Sequence, residues 1–410
     1  MKQTKVYVIG GGPAGIMAAY KAAQDGAEVT LVEKNQKLGK KLFITGKGRC
    51  NVTNNCEIEN FFASIAHNPK FCYSALYSFT PQDTMQLIEQ NGTPLKTERG
   101  LRVFPQSDKS SDIIKAFETL LRKNNVKVLL DTKLEDIFVC DGKINAIKLN
   151  GKTVACDKLI LALGGASYSS TGSDGAWKKM LENLGHTVEE FSPALVPLKS
   201  NEKLICSLQG LSLKNVTLKA FEGKRRIFEE LGEMLFTHFG ISGPLVLSLS
   251  SRIKDFSALK VFIDLKPALT REVLDARLLR DFTKYGSKTL KNAMQDLLPS
   301  RLISAVICKA ELDENMPISN LTAQQRQALV ETLKGFEVTV NGFGELNEAI
   351  VTRGGVTVKQ IDSSTMQSKI VSNLYFAGEM IDIDAYTGGF NIQLALSTGF
   401  LAGASVQGEF

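Results

Sequence analysis

The residues best suited to chemistry come early in the chain. Gly10, Gly12 and Gly15 form a G-x-G-x-x-G turn, with Pro13 and Ala14 inside it, between an apolar run at Lys5–Ile9 and small residues continuing to Ala23. As strand, turn and helix, this arrangement cradles a pyrophosphate. Gly10 permits the tight turn, Gly12 lets the backbone approach the phosphates, and Gly15 lets helix and strand pack closely. The helix N-terminus adds free N–H groups and a positive dipole end. Glu33 ends the next strand, about 20 residues further on, where a carboxylate suits a ribose 2′-hydroxyl and disfavours a 2′-phosphate. Lys34 follows it and joins the same set.

Two later features select FAD, bound non-covalently, over a nicotinamide as the resident cofactor. One is the segment Gly39–Asn54, expected as a loop; the other is Gly378-Glu379-x-x-Asp382, followed by Gly388-Gly389-Phe390-Asn391 at the start of an apolar helix. A flavin needs contacts along its ribitol and ring system that these segments supply. The second helix N-terminus is suited to the N1–C2=O edge, where negative charge develops on reduction. Lys40 and Lys41 are candidates for neutralising phosphate. Gly164 and Gly165, at the end of a third strand, complete the expected cofactor set.

Catalytic candidates are fewer. His238, one of three histidines, lies in a glycine-rich turn flanked by aromatics, which suits proton exchange with a substrate carbonyl. The expectation is that His238→Ala keeps FAD but loses turnover. Asn51 carries an amide able both to donate and to accept at flavin N5 or O4. Cys50 reads as a packed thiol rather than half of a redox pair, since Cys56 is six residues away. No cysteine or histidine spacing suggests a metal site.

The elements that must position these groups follow from hydrophobic periodicity. Lys5–Ile9 and Glu28–Glu33 with the intervening helix make one β-α-β unit. Val126–Leu130, Leu134–Cys140, Lys143–Asn150 and Thr153–Cys156 read as a β-meander with hairpin turns at Asp141-Gly142 and Asn150-Gly151. Leu159–Leu163 and Asn373–Ala377 read as buried strands rejoining the first sheet. Between them, Val216–Ala220, Arg225–Phe228, Leu259–Asp264 and Phe336–Val340 are expected strands, and Pro267 to Lys334 is helical in pattern. The fold class is therefore α/β. A discontinuous cofactor domain (1–192 and 345–410) encloses a β-rich substrate domain (193–266 and 335–344) with a helical subdomain (267–334).

Several blocks resemble a bacterial flavoprotein family that includes aminoacetone oxidases and bile-acid-pathway flavin reductases. They are Gly39-Lys40-Lys41-x-x-x-Thr45-Gly46-x-Gly48-Arg49-Cys50-Asn51-x-Thr53-Asn54, Leu163-Gly164-Gly165, Phe236-Thr237-His238-x-Gly240-x-Ser242-Gly243-Pro244, Tyr375-Phe376-Ala377-Gly378-Glu379-x-x-Asp382 and Gly388-Gly389-Phe390-Asn391-x-Gln393. The resemblance implies a Rossmann-like FAD domain of the glutathione-reductase type with an inserted β-rich domain and a small helical part. It also implies that Arg49–Asn54 borders the flavin and that Asp382 reaches the ribitol or pyrophosphate.

The chain has 410 residues, a formal net charge of +6 and scattered lysines, with no basic stripe for nucleic acid. Its seven cysteines, the absence of a leader-like start and the absence of a long apolar run suggest the cytoplasm and no membrane span. Gly342-Phe343-Gly344 lacks the third glycine of a second dinucleotide turn, so NAD(P)H is expected only as a transient reductant docking over the flavin. The favoured reading is a hydride-transferring reductase of a small, partly apolar substrate, driven by NAD(P)H or a redox donor protein. The alternatives are an amine or aminoketone oxidase producing hydrogen peroxide and a flavin-dependent RNA-modifying protein.

Overall fold

A computed structural model describes residues 3–253, 255–286, 288–345 and 349–407. The chain divides into two compact units, Met1–Ala194 with Leu346–Phe410, and Leu195–Glu345.

The first unit is built on a five-stranded parallel sheet. Its strands are β1 (Lys5–Ile9), β2 (Glu28–Val32), β4 (Lys127–Leu129), β5 (Lys158–Leu161) and β6 (Leu374–Phe376), in the spatial order β6-β5-β1-β2-β4. Strand β3 (Ile65–His67) lies outside that sheet. The central strands are apolar on both faces, with Val6, Val8, Leu31, Val32, Ile160 and Leu161 fully buried, as a sheet covered on both sides requires. Registers Ile9↔Val32, Ile9↔Leu161 and Leu161↔Phe376 bring the C-terminal ends of four strands to one edge. Ligands of open α/β sheets bind at that edge.

Helix α1 (Pro13–Gln24) connects β1 to β2, and the last helix, α3 (Phe390–Ala404), packs along it. The approach is unusually close. A Cβ at Gly399 would lie 2.2 Å from Ala14 O, and one at Gly403 2.4 Å from Ala18 O, so a side chain at either position would force the helices apart. Most of α3 is buried all round, as its sequence of apolar and small residues dictates.

Leu134–Cys140, Lys143–Leu149 and Lys152–Ala155 form the expected antiparallel meander. Its turns have positive φ at Asp141, Gly142, Asn150 and Gly151, the signature of tight hairpins. Val126–Leu130 belongs elsewhere: as β4 it pairs in parallel with β2 at the sheet edge. The segment Gly39–Asn54 also differs from expectation. Its first part is a helix, α2 (Lys40–Gly48), rather than a loop.

The second unit holds a seven-stranded antiparallel sheet. Its order is Phe336–Val338, Leu259–Asp264, Ser212–Glu222, Arg225–Thr237, Gly240–Ser242, Leu198–Lys199 and Gly342–Phe343. Helices Arg271–Lys284, Leu290–Ala293, Ser300–Lys309 and Ala323–Lys334 belong to this unit, the last entered through a Thr322–Gln325 capping box. Deep in it, Lys334 Nζ meets Asp264 Oδ2 at 2.7 Å. The lysine also donates to Lys266 O and Leu269 O, while Asp264 Oδ1 accepts from Lys266 N–H. No helix among the described residues is long and apolar enough to cross a membrane.

Candidate functional site

The glycine turn lies between β1 and α1, with Gly12 as the helix N-cap and Pro13 in the first turn. A Cβ at Gly15 would lie 1.8 Å from Gly10 O, and one at Gly10 2.2 Å from Ala162 O, so the turn is folded onto itself and onto the end of β5. A Cβ at Gly12, by contrast, would meet nothing within 4 Å. That side of the turn is open. Glu33 is buried beside it: Oε2 accepts from Gly11 N–H at 2.7 Å, and Oε1 accepts from both N–H groups of Asn35, backbone and side chain, at 2.7 Å each. The carboxylate thus ties the glycine turn to the end of β2 and keeps lone pairs for a hydroxyl donor.

The lysines of this region are not free cations. Lys34 pairs with Asp174 at 2.7 Å, and Lys40 donates to Ser170 O at 2.7 Å. Lys41 donates to Ser167 and to both oxygens of Glu379 at 3.0 and 2.7 Å. Glu379 also accepts from the N–H and hydroxyl of Thr352, whose Oγ1 accepts from Ala166 N–H just after Gly164 and Gly165. Lys41, Glu379 and Thr352 therefore join α2, the turn after β6 and the turn after β5. Gly378 stands against α1, where its Cβ would lie 2.7 Å from that of Ala14.

The segment after α2 runs through a second set of contacts. Thr45 Oγ1 donates to Leu42 O within the helix, whose last turn carries positive φ at Gly46 and Gly48. Arg49 turns outward to Glu98 and Asp108 and lies over the Phe104 ring at 4.1 Å. Cys50 is fully buried, and burial pushes its thiol up to about 12. Burial of this kind is what a small packed thiol shows. Asn51 Oδ1 is buried without a partner.

Two residues on, Thr53 Oγ1 donates to Gln393 Oε1 at 2.7 Å, and Asn54 Nδ2 donates to Gly388 O at 3.0 Å. A Cβ at Gly389 would lie 2.3 Å from Thr53 O. The segment is thereby bound to the turn Gly388-Gly389-Phe390 that opens α3. Asn391 is spent structurally: its amide accepts from Ala385 N–H at 2.9 Å and donates to Ala385 O at 2.6 Å, fixing the short strand β7 (Asp384–Ala385).

β7 pairs antiparallel with β3 through Asp384↔His67. This pair assembles a polar cluster that the sequence reading did not single out, apart from Asp382. His67 Nε2 lies 3.0 Å from Asp382 Oδ2, and Asn68 Nδ2 donates to both the backbone and the carboxylate of Asp382, at 2.7 and 3.1 Å. Arg353 Nε donates to Asp384 Oδ1 at 3.3 Å. Asp382 Oδ1 and Asp384 Oδ2 are buried and have no partner among the described residues. The hydrogen bond that His67 donates to Asp382 raises the imidazole above its ordinary value; burial raises the Asp384 carboxyl, against the pull of Arg353. His67 carried no sequence signal, because its partner lies over 300 residues away; the Asp382-x-Asp384 spacing beside the paired glycines was the available hint.

His238 lies in the other unit, in the two-residue turn between Arg225–Thr237 and Gly240–Ser242, exposed and edge-on to Phe239 at 4.9 Å. Among the described residues no carboxylate tethers it as Asp382 tethers His67.

These residues fit an FAD. The open side of Gly12 and the α1 N-terminus suit phosphates, Glu33 a ribose, and the second helix start at Gly388–Phe390 an electron-rich ring edge. Asn51 Oδ1, Ser173 Oγ and Asp382 Oδ1 are buried polar atoms lacking partners among the described residues, as expected where a ligand completes the hydrogen bonding.

Comparison with known proteins agrees. Residues 4–405 match the family described as HI0933-like protein Rossmann domain. The chain is 31% identical over 407 residues to a 3-dehydro-bile acid delta(4,6)-reductase of Clostridium scindens, covering 97% of this chain and 98% of that protein. It is 32% identical over 398 residues to a ribosomal RNA dihydrouridine synthase of Escherichia coli, covering 97% and 96%. Among solved structures, 3-ketosteroid delta1-dehydrogenase from Sterolibacterium denitrificans shares the fold, with a TM-score of 0.52 at 13% identity over 98% of this chain and 99% of that one. The chain belongs to the HI0933-like Rossmann family and is an FAD-dependent oxidoreductase.

Proposed function

We propose that this HI0933-like flavoprotein reduces a carbon–carbon double bond conjugated to a carbonyl in a small, partly apolar substrate. The observation that carries the reading is the two-ended cradle, an open glycine turn at one helix start and a second glycine turn beside buried unpartnered side-chain oxygens. Bound there, FAD supplies a hydride donor and acceptor, and the chain's residues supply binding, orientation and protons.

The direction of reaction is supported by the two relatives. A delta(4,6) reduction beside a 3-dehydro group, and the formation of dihydrouridine from a uracil ring, both saturate a double bond conjugated to a carbonyl. Glu33, Gly12 and the α1 N-terminus would hold the dinucleotide half, Asp382 would reach the ribitol or pyrophosphate, and Asn51 and the Gly388–Phe390 turn would border the reacting half. Electrons enter from NAD(P)H docking transiently or from a protein donor. His238, exposed at a hairpin tip, is a further catalytic candidate.

Anaerobic stopped-flow absorbance with NADH and NADPH tests the reading. Bleaching near ~450 nm, as expected of a reduced flavin, followed by recovery on adding an enone, supports it. Peroxide formation with an amine and no nicotinamide would replace it with an amine or aminoketone oxidase. The E. coli relative favours a second reading, in which the double bond belongs to a uridine of ribosomal RNA. Salt-sensitive RNA binding, with uridine saturation, would select that reading.

A further inference from the structure

We infer that His67, held through Nε2 by Asp382, is the acid that gives a proton to the substrate, with Asp382 as its positioning residue. The inference rests on the reductive reading above and assigns the proton that such a reaction requires.

The geometry has three parts. First, the imidazole is fixed at one nitrogen only: Nε2 lies 3.0 Å from Asp382 Oδ2, and among the described residues Nδ1 has no partner. A carboxylate on one ring nitrogen sets the tautomer and orientation and stabilises the imidazolium, leaving the other N–H to act. Second, exposure is graded. The His67 side chain is 41% exposed and the Asp382 side chain 7%, so the anchor is dry while the ring reaches solvent for reprotonation. Third, the anchor is itself held. Asn68 clamps Asp382, and β7, which carries Asp384 opposite His67, is fixed by Asn391 from the first turn of α3. The ring therefore stands on a rigid connection to the glycine turn proposed to face the flavin.

Charges around the ring favour its protonated form. Asp382 and Asp384 act from β7 and its lead-in, opposed by Arg353 from the strand Val351–Val356. The preceding helix Ile58–Ala63 brings exposed Glu59, with exposed Glu57 at its cap; exposed Lys70 follows β3, and the N–H of Tyr386 donates to Ser64 O at the strand's start.

The reaction balances. FAD held by Glu33, Gly12 and the α1 N-terminus would, once reduced, supply the hydride for the β-carbon, and His67 Nδ1 gives the α-carbon its proton. Neutral imidazole remains hydrogen-bonded to Asp382 and recovers a proton from water. The electron pair has entered earlier from a reduced nicotinamide or a redox protein.

Two measurements test this, one independent of turnover. With three histidines in the chain, ring-labelled protein gives a readable NMR titration of each imidazole. His67, assigned by its loss in His67→Gln, is expected to titrate above the ordinary value of about 6.5. In Asp382→Asn it is expected to fall while His186 stays in place.

In the second, FAD-loaded protein is reduced with dithionite and mixed anaerobically with cyclohex-2-enone or 4-androstene-3,17-dione. His67→Gln is expected to keep FAD and to slow reoxidation by roughly 10²–10⁴-fold. The wild-type rate should fall as pH rises through the His67 titration, and the variant's rate should be flat there. A His67 titration indifferent to Asp382→Asn, or wild-type reoxidation in His67→Gln, overturns the inference alone. Wild-type protein that neither enone reoxidises overturns the reductive reading and the inference with it.

Discussion

In the unit of residues 195–345 the carboxylate of Asp264 is enclosed by Lys334 and Lys266 N–H, whereas in the first unit Asp382 and Asp384 each keep one buried oxygen without a partner among the described residues. Both arrangements bury charge; they differ in whether the chain completes it. A buried ion pair with its hydrogen bonds filled is part of the architecture, and breaking it is costly. At Asp382 and Asp384 the open acceptors are ones that a ligand or a proton would complete.

The largest test removes a partner from the completed pair. Lys334→Met should lower the opening free energy of Leu259–Asp264 by about 3–5 kcal/mol, because an uncompensated carboxylate remains buried. Hydrogen exchange of that strand measures it. Unchanged protection would mean that Asp264 is not dependent on its lysine, and the contrast would break.

The next change acts on open space rather than on a partner. Gly12→Thr keeps a residue suited to a helix N-cap, so apoprotein stability should move by no more than about 0.5 kcal/mol. Its side chain would enter the phosphate approach, and FAD affinity is expected to fall roughly 100-fold. A melting curve and a flavin-fluorescence titration separate the two effects; equal affinity would show that the open side of the turn is not where the cofactor lies.

His186 offers a pH test in which the same unit acts structurally. It is buried, 2.7 Å from Ser368 Oγ, and burial holds it below its ordinary value. The unfolded chain takes a proton that the folded chain resists. Its contribution is therefore complete above about pH 6.5 and is lost as pH falls below it. The melting temperature of the apoprotein should decline from pH 7 towards 5, less steeply in His186→Gln. His67, raised in the folded state, has the opposite sign: its contribution is present at low pH and disappears as pH rises through its folded value.

The smallest expected effect is at the hairpin tip. His238→Ala should leave stability within about 0.5 kcal/mol, as for other exposed positions. Without a tethering carboxylate, its turnover loss should be smaller than that of His67→Gln. A larger loss would move the proton chemistry to the unit of residues 195–345 and reverse the comparison.

Much of this was readable before the fold was known, because the strongest signals were local. The turn Gly10–Gly15, the strand ending at Glu33 and the apolar α3 each announce themselves within about a dozen residues, as does the Thr322–Gln325 cap. What escaped was either ambiguous locally or made by distance. Lys40–Gly48 reads as a loop because two glycines crowd its last turn, yet both adopt positive φ just where the helix ends. The run at Val126–Leu130 is short and sits beside hairpin strands, so nothing local shows that it pairs in parallel with β2. Asp382 was named for the cofactor, but its hydrogen bond to His67 depends on two strands of two and three residues meeting across most of the chain. Nor does composition reveal that Lys40 and Lys41 already have oxygen partners.

The close fit of Gly399 and Gly403 on Ala14 and Ala18 has a consequence for biogenesis. The apolar flank of α1 leaves the ribosome early, but its matching surface is made from residues 390–404. At about 5–20 residues per second, roughly 20–75 s separate the two. Throughout that interval the nascent glycine turn has no companion helix and the reacting half of the cradle has not been synthesised. Cofactor capture is consequently a late event, and the waiting N-terminal helix is a natural client for chaperones.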